Sequence, residues 1–161
     1  MINKVEIGYI AAVLDAEGAL CIGSKHGGTS YRPLVCVSQA NATWLEKLKE
    51  VWGGEVYRLV DNRQGYALMW RWNVTGDAMV ALLKAVKPHL RLKKEQAELL
   101  LELQARIGRI GRTFGQPLSM AELERRRNLY IQCRLLNRKG PRGDQLGLPE
   151  PSPQLQLLRG Q

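Results

Sequence analysis

Little in this sequence could hold a protein together other than its own core. The 161 residues contain three cysteines, Cys21, Cys36 and Cys133, too few, too scattered and odd in number for a disulfide framework. There is no Cys-x-x-Cys pair, and His26 and His89 stand apart, so no zinc site is predicted. The thiols read as reduced, small apolar side chains. No apolar run approaches the roughly 20 residues that cross a bilayer. Residues 1–6 lack the basic, apolar, small order of a signal peptide. The expectation is an intracellular protein with no membrane partner, cytoplasmic in a prokaryote, organellar or nuclear in a eukaryote. No internal repeat is found.

What is there begins with charge. The chain is 45% hydrophobic and 24% charged, an ordinary globular mixture, yet its net charge is +9. Residues 1–86 carry nine Lys and Arg against eight Asp and Glu, and residues 143–161 carry one against two. Residues 87–142 carry fourteen against five, so the whole excess lies in that stretch. A basic excess confined to one region favours a polyanionic partner over a small-molecule substrate. The length suits one domain.

The periodicities predict an α+β domain in the order α-β-β-α-β-β-α, followed by further C-terminal helices. A helix from about Val5 to Asp15 places Ile7, Ile10, Ala11 and Leu14 on one face, with Gly18 as its stop. Ala19–Ser24 and Tyr31–Ser38 read as a hairpin across a flexible turn. A helix over Ala42–Trp52 buries Leu45, Leu48 and Val51 or Trp52, with Thr43 and Glu46 as a capping box. A second hairpin pairs Glu55–Val60 with Tyr66–Val74, in which Leu68, Trp70, Trp72 and Val74 share one face. Asp77 is expected to cap a helix carrying Met79, Leu82, Leu83 and Val86. Two more helices follow, from about Lys93 to Ile107 and from a Ser119/Glu122 capping box to about Asn137. The four strands are expected to form one twisted antiparallel sheet with helices on one face. Residues 1–137 read as the domain and 138–161 as a mobile Pro-, Gly- and Gln-rich tail.

Two acids, Asp15 and Glu17, stand one residue apart where a small-residue helix ends. An acid there needs a partner such as a hydrogen-bond donor or a hard cation, which takes oxygen ligands. Gly8, Ala11 and Ala12, with Asp15 and Ala16, form i, i+4 pairs that allow close approach of another helix. That helix could belong to the chain's own fold or to a second copy. Two copies would place two Glu17 carboxylates side by side, as metal-assisted cutting of opposed phosphodiesters requires.

The run Ile10-Ala11-Ala12-Val13-Leu14-Asp15-Ala16-Glu17-Gly18 resembles the LAGLIDADG motif of homing endonucleases. It departs at Ile10, Ala12 and Glu17, and the family accepts Glu as the metal-binding acid. Gln39, after the second strand, matches the family's water-positioning Gln. Lys87-Pro88-His89-Leu90-Arg91-Leu92-Lys93-Lys94-Glu95-Gln96 resembles its P-x-L-x-L-K-x-x-Q segment, which makes Lys93 the active-site lysine. The family's Arg after the Gln is missing, since Asn41, Ala42, Thr43 and Trp44 follow.

The resemblance covers about residues 5–105. It implies a single-motif, homodimeric, intron-encoded type of enzyme that makes a staggered double-strand cut with 3′ overhangs in a long, near-palindromic DNA target. Glu17 and the Ala16 carbonyl would bind Mg²⁺, with Mn²⁺ as a substitute. Gly8, Ala11, Ala12 and Asp15 would form the dimer interface. The hairpins at about 19–38 and 55–74 would read bases through Gly23, Lys25, Ser30, Arg32, Cys36, Arg58, Arg71 and Asn73. Arg125, Arg126 and Arg127, on the basic helices over about 93–137, would hold phosphates. The alternative is a LAGLIDADG-derived protein that binds without cutting, as a DNA-binding regulator or an intron RNA maturase.

Overall fold

The computed structural model describes residues 3–60, 68–110 and 118–138. The expected turn at 61–65, the start of its following strand at Tyr66, most of the 108–116 loop and the tail beyond residue 138 lie outside them.

Helix α1 (Lys4–Ala16) begins at a capping box. Asn3 Oδ1 accepts from the Glu6 amide at 2.9 Å while Glu6 Oε2 accepts from the Asn3 amide at 3.0 Å. Two of the helix's orphan donors are thereby satisfied. Strands β1 (Ala19–Lys25) and β2 (Ser30–Gln39) form a hairpin closed by a short 3₁₀ turn, followed by α2 (Ala42–Trp52). Strands β3 (Glu55–Leu59) and β4 (Met69–Val74), then α3 (Gly76–Val86), α4 (Lys94–Ile110) and α5 (Met120–Leu136), complete the order.

All pairings in the four-stranded sheet are antiparallel, in the order β1-β2-β4-β3. Alternation divides it into two faces. Leu20, Ile22, Tyr31, Val35, Val37, Trp72 and Val74 point to the helices and are buried. They meet Leu45 and Leu48 of α2, Met79, Leu82, Leu83 and Val86 of α3, and Leu100 and Leu103 of α4 in one core. Each large apolar side chain fully buried there contributes about 1.5–3 kcal/mol of transfer free energy. The other face carries Cys21, Gly23, Arg32, Leu34, Cys36, Ser38, Tyr57, Arg71 and Asn73, and no described helix covers it.

Several local expectations are corrected. The cap of α2 is Asn41, whose Oδ1 accepts from the Trp44 amide at 3.2 Å, in place of the Thr43/Glu46 box. The cap position of α3 is Thr75, and Asp77 lies inside the first turn. Ser119 Oγ does accept from the Glu122 amide, but the Glu122 carboxylate turns away to arginines. Helix α4 continues past Ile107, through Gly108, to Ile110. Val51 is 51% exposed, so Trp52 is the residue of α2 that packs on the core.

Gly54 explains how β3 enters the sheet. At φ +88° a Cβ there would lie 2.3 Å from the Asn73 carbonyl oxygen, so only glycine permits the approach. Beside it, Trp72 Nε1 donates to the Gly53 carbonyl at 2.8 Å.

Candidate active site

Helix α1 delivers its two acids to opposite tasks. Asp15 turns into its own chain. Its Oδ2 accepts from the Arg91 amide at 2.7 Å, and its Oδ1 from the Leu92 and Lys93 amides at 3.2 and 3.0 Å. These amides lead into α4, so a carboxylate from α1 holds the segment just before another helix, where negative charge is favoured. These bonds supply the hydrogen-bond donors that an acid at this place needs, and they tie Asp15 to the helix end within its own chain.

Lys93 makes the reciprocal contact. Its Nζ donates to the Leu14 carbonyl at 2.8 Å and to the Gly18 carbonyl at 2.6 Å. A cation at a helix C-terminus meets orphan carbonyls and the negative end of the dipole. Gly18 is required here by space: a Cβ would lie 2.8 Å from Leu14 Cα and O.

Glu17, the C-cap of α1, is exposed. Gln39 Nε2, at the end of β2, donates to its Oε2 at 2.8 Å. An open groove beside them is lined by Glu17, Ser38, Gln39, Ala40, Asn41 and Met69. Glu17 and Gln39 therefore meet directly. Lys93 reaches the same helix end but does not line the groove, and none of the described lining residues is basic. Two residues after Gln39 stands Asn41, whose side chain caps α2.

Among the described residues, no three His, Cys, Asp or Glu side chains gather into a metal cage. The donor set fits a different demand. One carboxylate at a helix end, with the Ala16 carbonyl adjacent in sequence and one edge open to a groove, suits Mg²⁺, which keeps waters and phosphate oxygens in its shell.

The open sheet face ends at this groove. Arg71 Nε donates to Ser38 Oγ at 2.9 Å, and Asn73 Nδ2 to the Tyr57 hydroxyl at 2.9 Å. Gly23 pairs with Arg32 and Lys25 with Ser30 farther along the same hairpin. Cys36 pairs with Asn73 on that face. Burial raises the thiol pKa of Cys21 and of Cys36, so both are neutral small groups near pH 7. Arg58 does not belong to this face. Its partner is Trp70, of the same parity as the buried Trp72, so it is corrected to the helix side of the sheet. Tyr57 occupies the open face in its place. Strand register decided this, and alternation alone could not. Ser38 could have been found by its parity with Cys36.

Two further candidates move inward. Ala11 is wholly buried in the chain's own core, whereas Ala12 is exposed and a Cβ at Gly8 would meet nothing within 4 Å. Val5 and Tyr9, 80% and 57% exposed, extend that outer face of α1. Arg126 is 8% exposed, its Nε 2.9 Å from Glu122 Oε1, with Arg106 Nη1 3.3 Å from the other oxygen. It is corrected from a phosphate contact to an internal ion pair. Arg125 remains exposed, and Arg127 lies near Tyr31 on the partly covered side of α5.

This sheet and helix arrangement is the fold of the LAGLIDADG homing endonucleases, and it matches solved members across nearly the whole chain. The archaeal intron-encoded homing endonuclease I-Vdi141I, complexed with DNA, is 23% identical with a TM-score of 0.67, over 84% of this chain and 86% of that one. The homing endonuclease I-CvuI, in complex with its target in the presence of calcium, is 22% identical with a TM-score of 0.63, over 85% of both chains. Against the LAGLIDADG meganuclease I-AabMI, bound to uncleaved DNA, the TM-score is 0.60 at 17% identity, over 80% of this chain and 44% of that one. No protein-family model and no curated protein sequence matches the chain.

Proposed function

We propose that this protein is a site-specific double-stranded-DNA endonuclease of the LAGLIDADG type, acting as a two-fold dimer with one Glu17 per half-site. The observation that carries the proposal is the Gln39–Glu17 hydrogen bond at 2.8 Å. It holds a single exposed carboxylate beside the open, arginine-bearing sheet face. The DNA-bound state of the structural neighbours supports the partner. The exposed Ala12 and the half-buried Gly8, where a Cβ would meet nothing within 4 Å, are flanked by Val5 and Tyr9 and support self-association of α1.

In this reading the sheet face lies in the major groove and selects the sequence. Gln39 fixes one Glu17 oxygen, so that the carboxylate meets the scissile region in one orientation. Lys93 holds the end of α1 in place and adds positive charge near the developing phosphate charge. A divalent cation bound by Glu17 and the Ala16 carbonyl, Mg²⁺ or in its place Mn²⁺, would supply the activation of water and the charge neutralisation that phosphodiester hydrolysis needs. I-CvuI was solved on DNA with calcium and with magnesium, which accords with divalent-ion use. Two active sites related by the dimer axis would leave staggered ends with 3′ overhangs.

A second reading, binding without cutting as a regulator or RNA maturase, is favoured by one observation. Among the described residues, no basic side chain lines the groove at Glu17. One experiment separates the two. Duplexes with a randomised core are selected by the protein in Ca²⁺, and the enriched sites are then incubated with Mg²⁺ or Mn²⁺. Cut products with 3′ overhangs, from a complex that sediments as a dimer, are expected. Enriched DNA that stays intact supports the second reading, and no enrichment of any DNA sequence overturns the first.

A further inference from the structure

The reading face is graded along its length, and its inner end carries one feature that the outer end lacks. Ser38 precedes Gln39, the residue that holds Glu17. Directly opposite Ser38 in the register stands Arg71, and opposite Arg71 on the far side stands Tyr57. Arg71 is half-buried, and its described hydrogen bond runs from Nε to Ser38 Oγ at 2.9 Å. Two of the guanidinium's three nitrogens, Nη1 and Nη2, are left side by side as a fork. Cys21 and Cys36, small side chains on the same face, are near enough to Arg71 for its charge to act on both thiols.

A guanidinium held by a third point is limited in what it can meet. Guanine alone among the bases offers two acceptors, O6 and N7, at the spacing of the fork in the major groove. Adenine presents a donor beside N7, which would face an arginine donor. A phosphate could accept from the same fork, but phosphates flank the groove, whereas Arg71 is on β4, an interior strand of the sheet.

We infer that Arg71 reads a guanine at the inner end of each half-site, next to the scissile region, and that Ser38 is the positioning residue that aims it. The inference rests on the proposed endonuclease reading and adds the base and its place. Strand geometry supplies a ruler. Arg32 lies six residues from Ser38 on β2, or about 20 Å at 3.3–3.4 Å per residue. With B-DNA rising about 3.4 Å per base pair, any base read by Arg32 lies on the order of six base pairs farther out.

The test is the binding-site profile of full-length protein on randomised duplex DNA in Ca²⁺, where cleavage does not intrude. Wild type should enrich guanine at an inner position of each half-site. Arg71→Ala should remove that preference by about 10- to 100-fold and leave outer positions unchanged. Arg71→Lys keeps the charge without the planar fork, so it should keep the salt slope of DNA binding and weaken the guanine preference in part. This variant stands in if the alanine protein folds poorly. Ser38→Ala should weaken the guanine preference in part, and Ser38→Thr, which keeps the hydroxyl, should restore it. A merely structural role for Ser38 would change the melting temperature without changing the profile. A guanine preference that survives Arg71→Ala, or a uniform loss across all DNA sequences with a shallower salt slope, overturns this inference alone. A wild-type protein that enriches no DNA sequence overturns it together with the endonuclease reading.

Discussion

Replacing Asp15 by Ala removes an acceptor array that joins two helices far apart in the chain. The carboxylate takes three backbone N–H groups, from Arg91, Leu92 and Lys93, at 2.7, 3.2 and 3.0 Å. Hydrogen bonds to a charged partner contribute roughly 1.5–3 kcal/mol each when buried, and an ordinary N-cap about 0.5–2 kcal/mol. Asp15 is half-buried, and the freed amides can turn to water, so the array as a whole is worth roughly 2–4 kcal/mol. For a chain of this size that lowers the melting temperature by roughly 5–12 °C. Asp15→Asn should fall between. Its remaining oxygen can keep the Leu92 and Lys93 bonds, but its amide then faces the Arg91 N–H, donor to donor. The loosened turn also carries Lys93, so both variants should couple to Lys93→Ala in a double-mutant cycle by more than about 0.5 kcal/mol. Thermal and urea unfolding of wild type, the three single variants and the two double variants, followed by circular dichroism, measures this. An Asp15→Ala protein that melts within about 2 °C of wild type, or that is additive with Lys93→Ala, would refute the reasoning.

Glu17→Gln should lower cleavage of a selected site by several orders of magnitude. Binding in Ca²⁺ should stay level or tighten, as repulsion between carboxylate and phosphate is removed; near-normal cutting would show the wrong acid. Ala12→Leu should shift sedimentation toward monomer and abolish cutting, while Ala11→Leu should chiefly destabilise the fold, because Ala11 is 0% exposed and overpacking costs about 1–3 kcal/mol. Arg126→Ala should weaken stability by roughly 1–3 kcal/mol with little effect on the salt slope of DNA binding, whereas Arg125→Ala should do the reverse; comparing melting curves with titrations across salt decides between them. Burial pushes the Cys133 thiol up to about 11 from 9.0. A raised pKa means its contribution is complete below the unfolded value and lost as pH climbs toward 11, so wild type should lose on the order of 2 kcal/mol across that window and Cys133→Ala less; equal alkaline losses would remove the assignment.

The helices were legible because their apolar stripes are long and regular. Met79, Leu82, Leu83 and Val86 recur at helical spacing, and all four are fully buried. The two sheet faces were legible by alternation for β1, β2 and β4. What escaped was set by partners distant in sequence. Nothing local marks Arg58 as lying opposite Trp70, since one residue of register turns a whole strand over. Nothing local marks Asp15 as the acceptor of amides 76, 77 and 78 residues away. The caps of α2 and α3 were misplaced because Asn41 and Thr75 compete with equally plausible neighbours within two residues. Arg126 looked like surface charge in a run of three arginines. Its burial depends on Glu122 one turn earlier and on Arg106 from the helix before. In the candidate site, Glu17, Gln39 and Lys93 were legible by resemblance. That Lys93 bonds the end of α1 instead of lining the groove was not.

The two acids at the end of α1 also differ in what their loss would leave behind. Glu17 bears on the groove alone, so a single base change that alters it would leave a folded chain with its open sheet intact. Asp15 joins the first helix to the fourth, so its loss would damage scaffold and chemistry together. Descent from such a protein therefore has an uneven topography. The route from cutter to pure binder is short and passes through Glu17, while the route through Asp15 leads first to a protein that folds less well. Relatives that have given up cleavage should keep the inner acid long after the outer one has drifted.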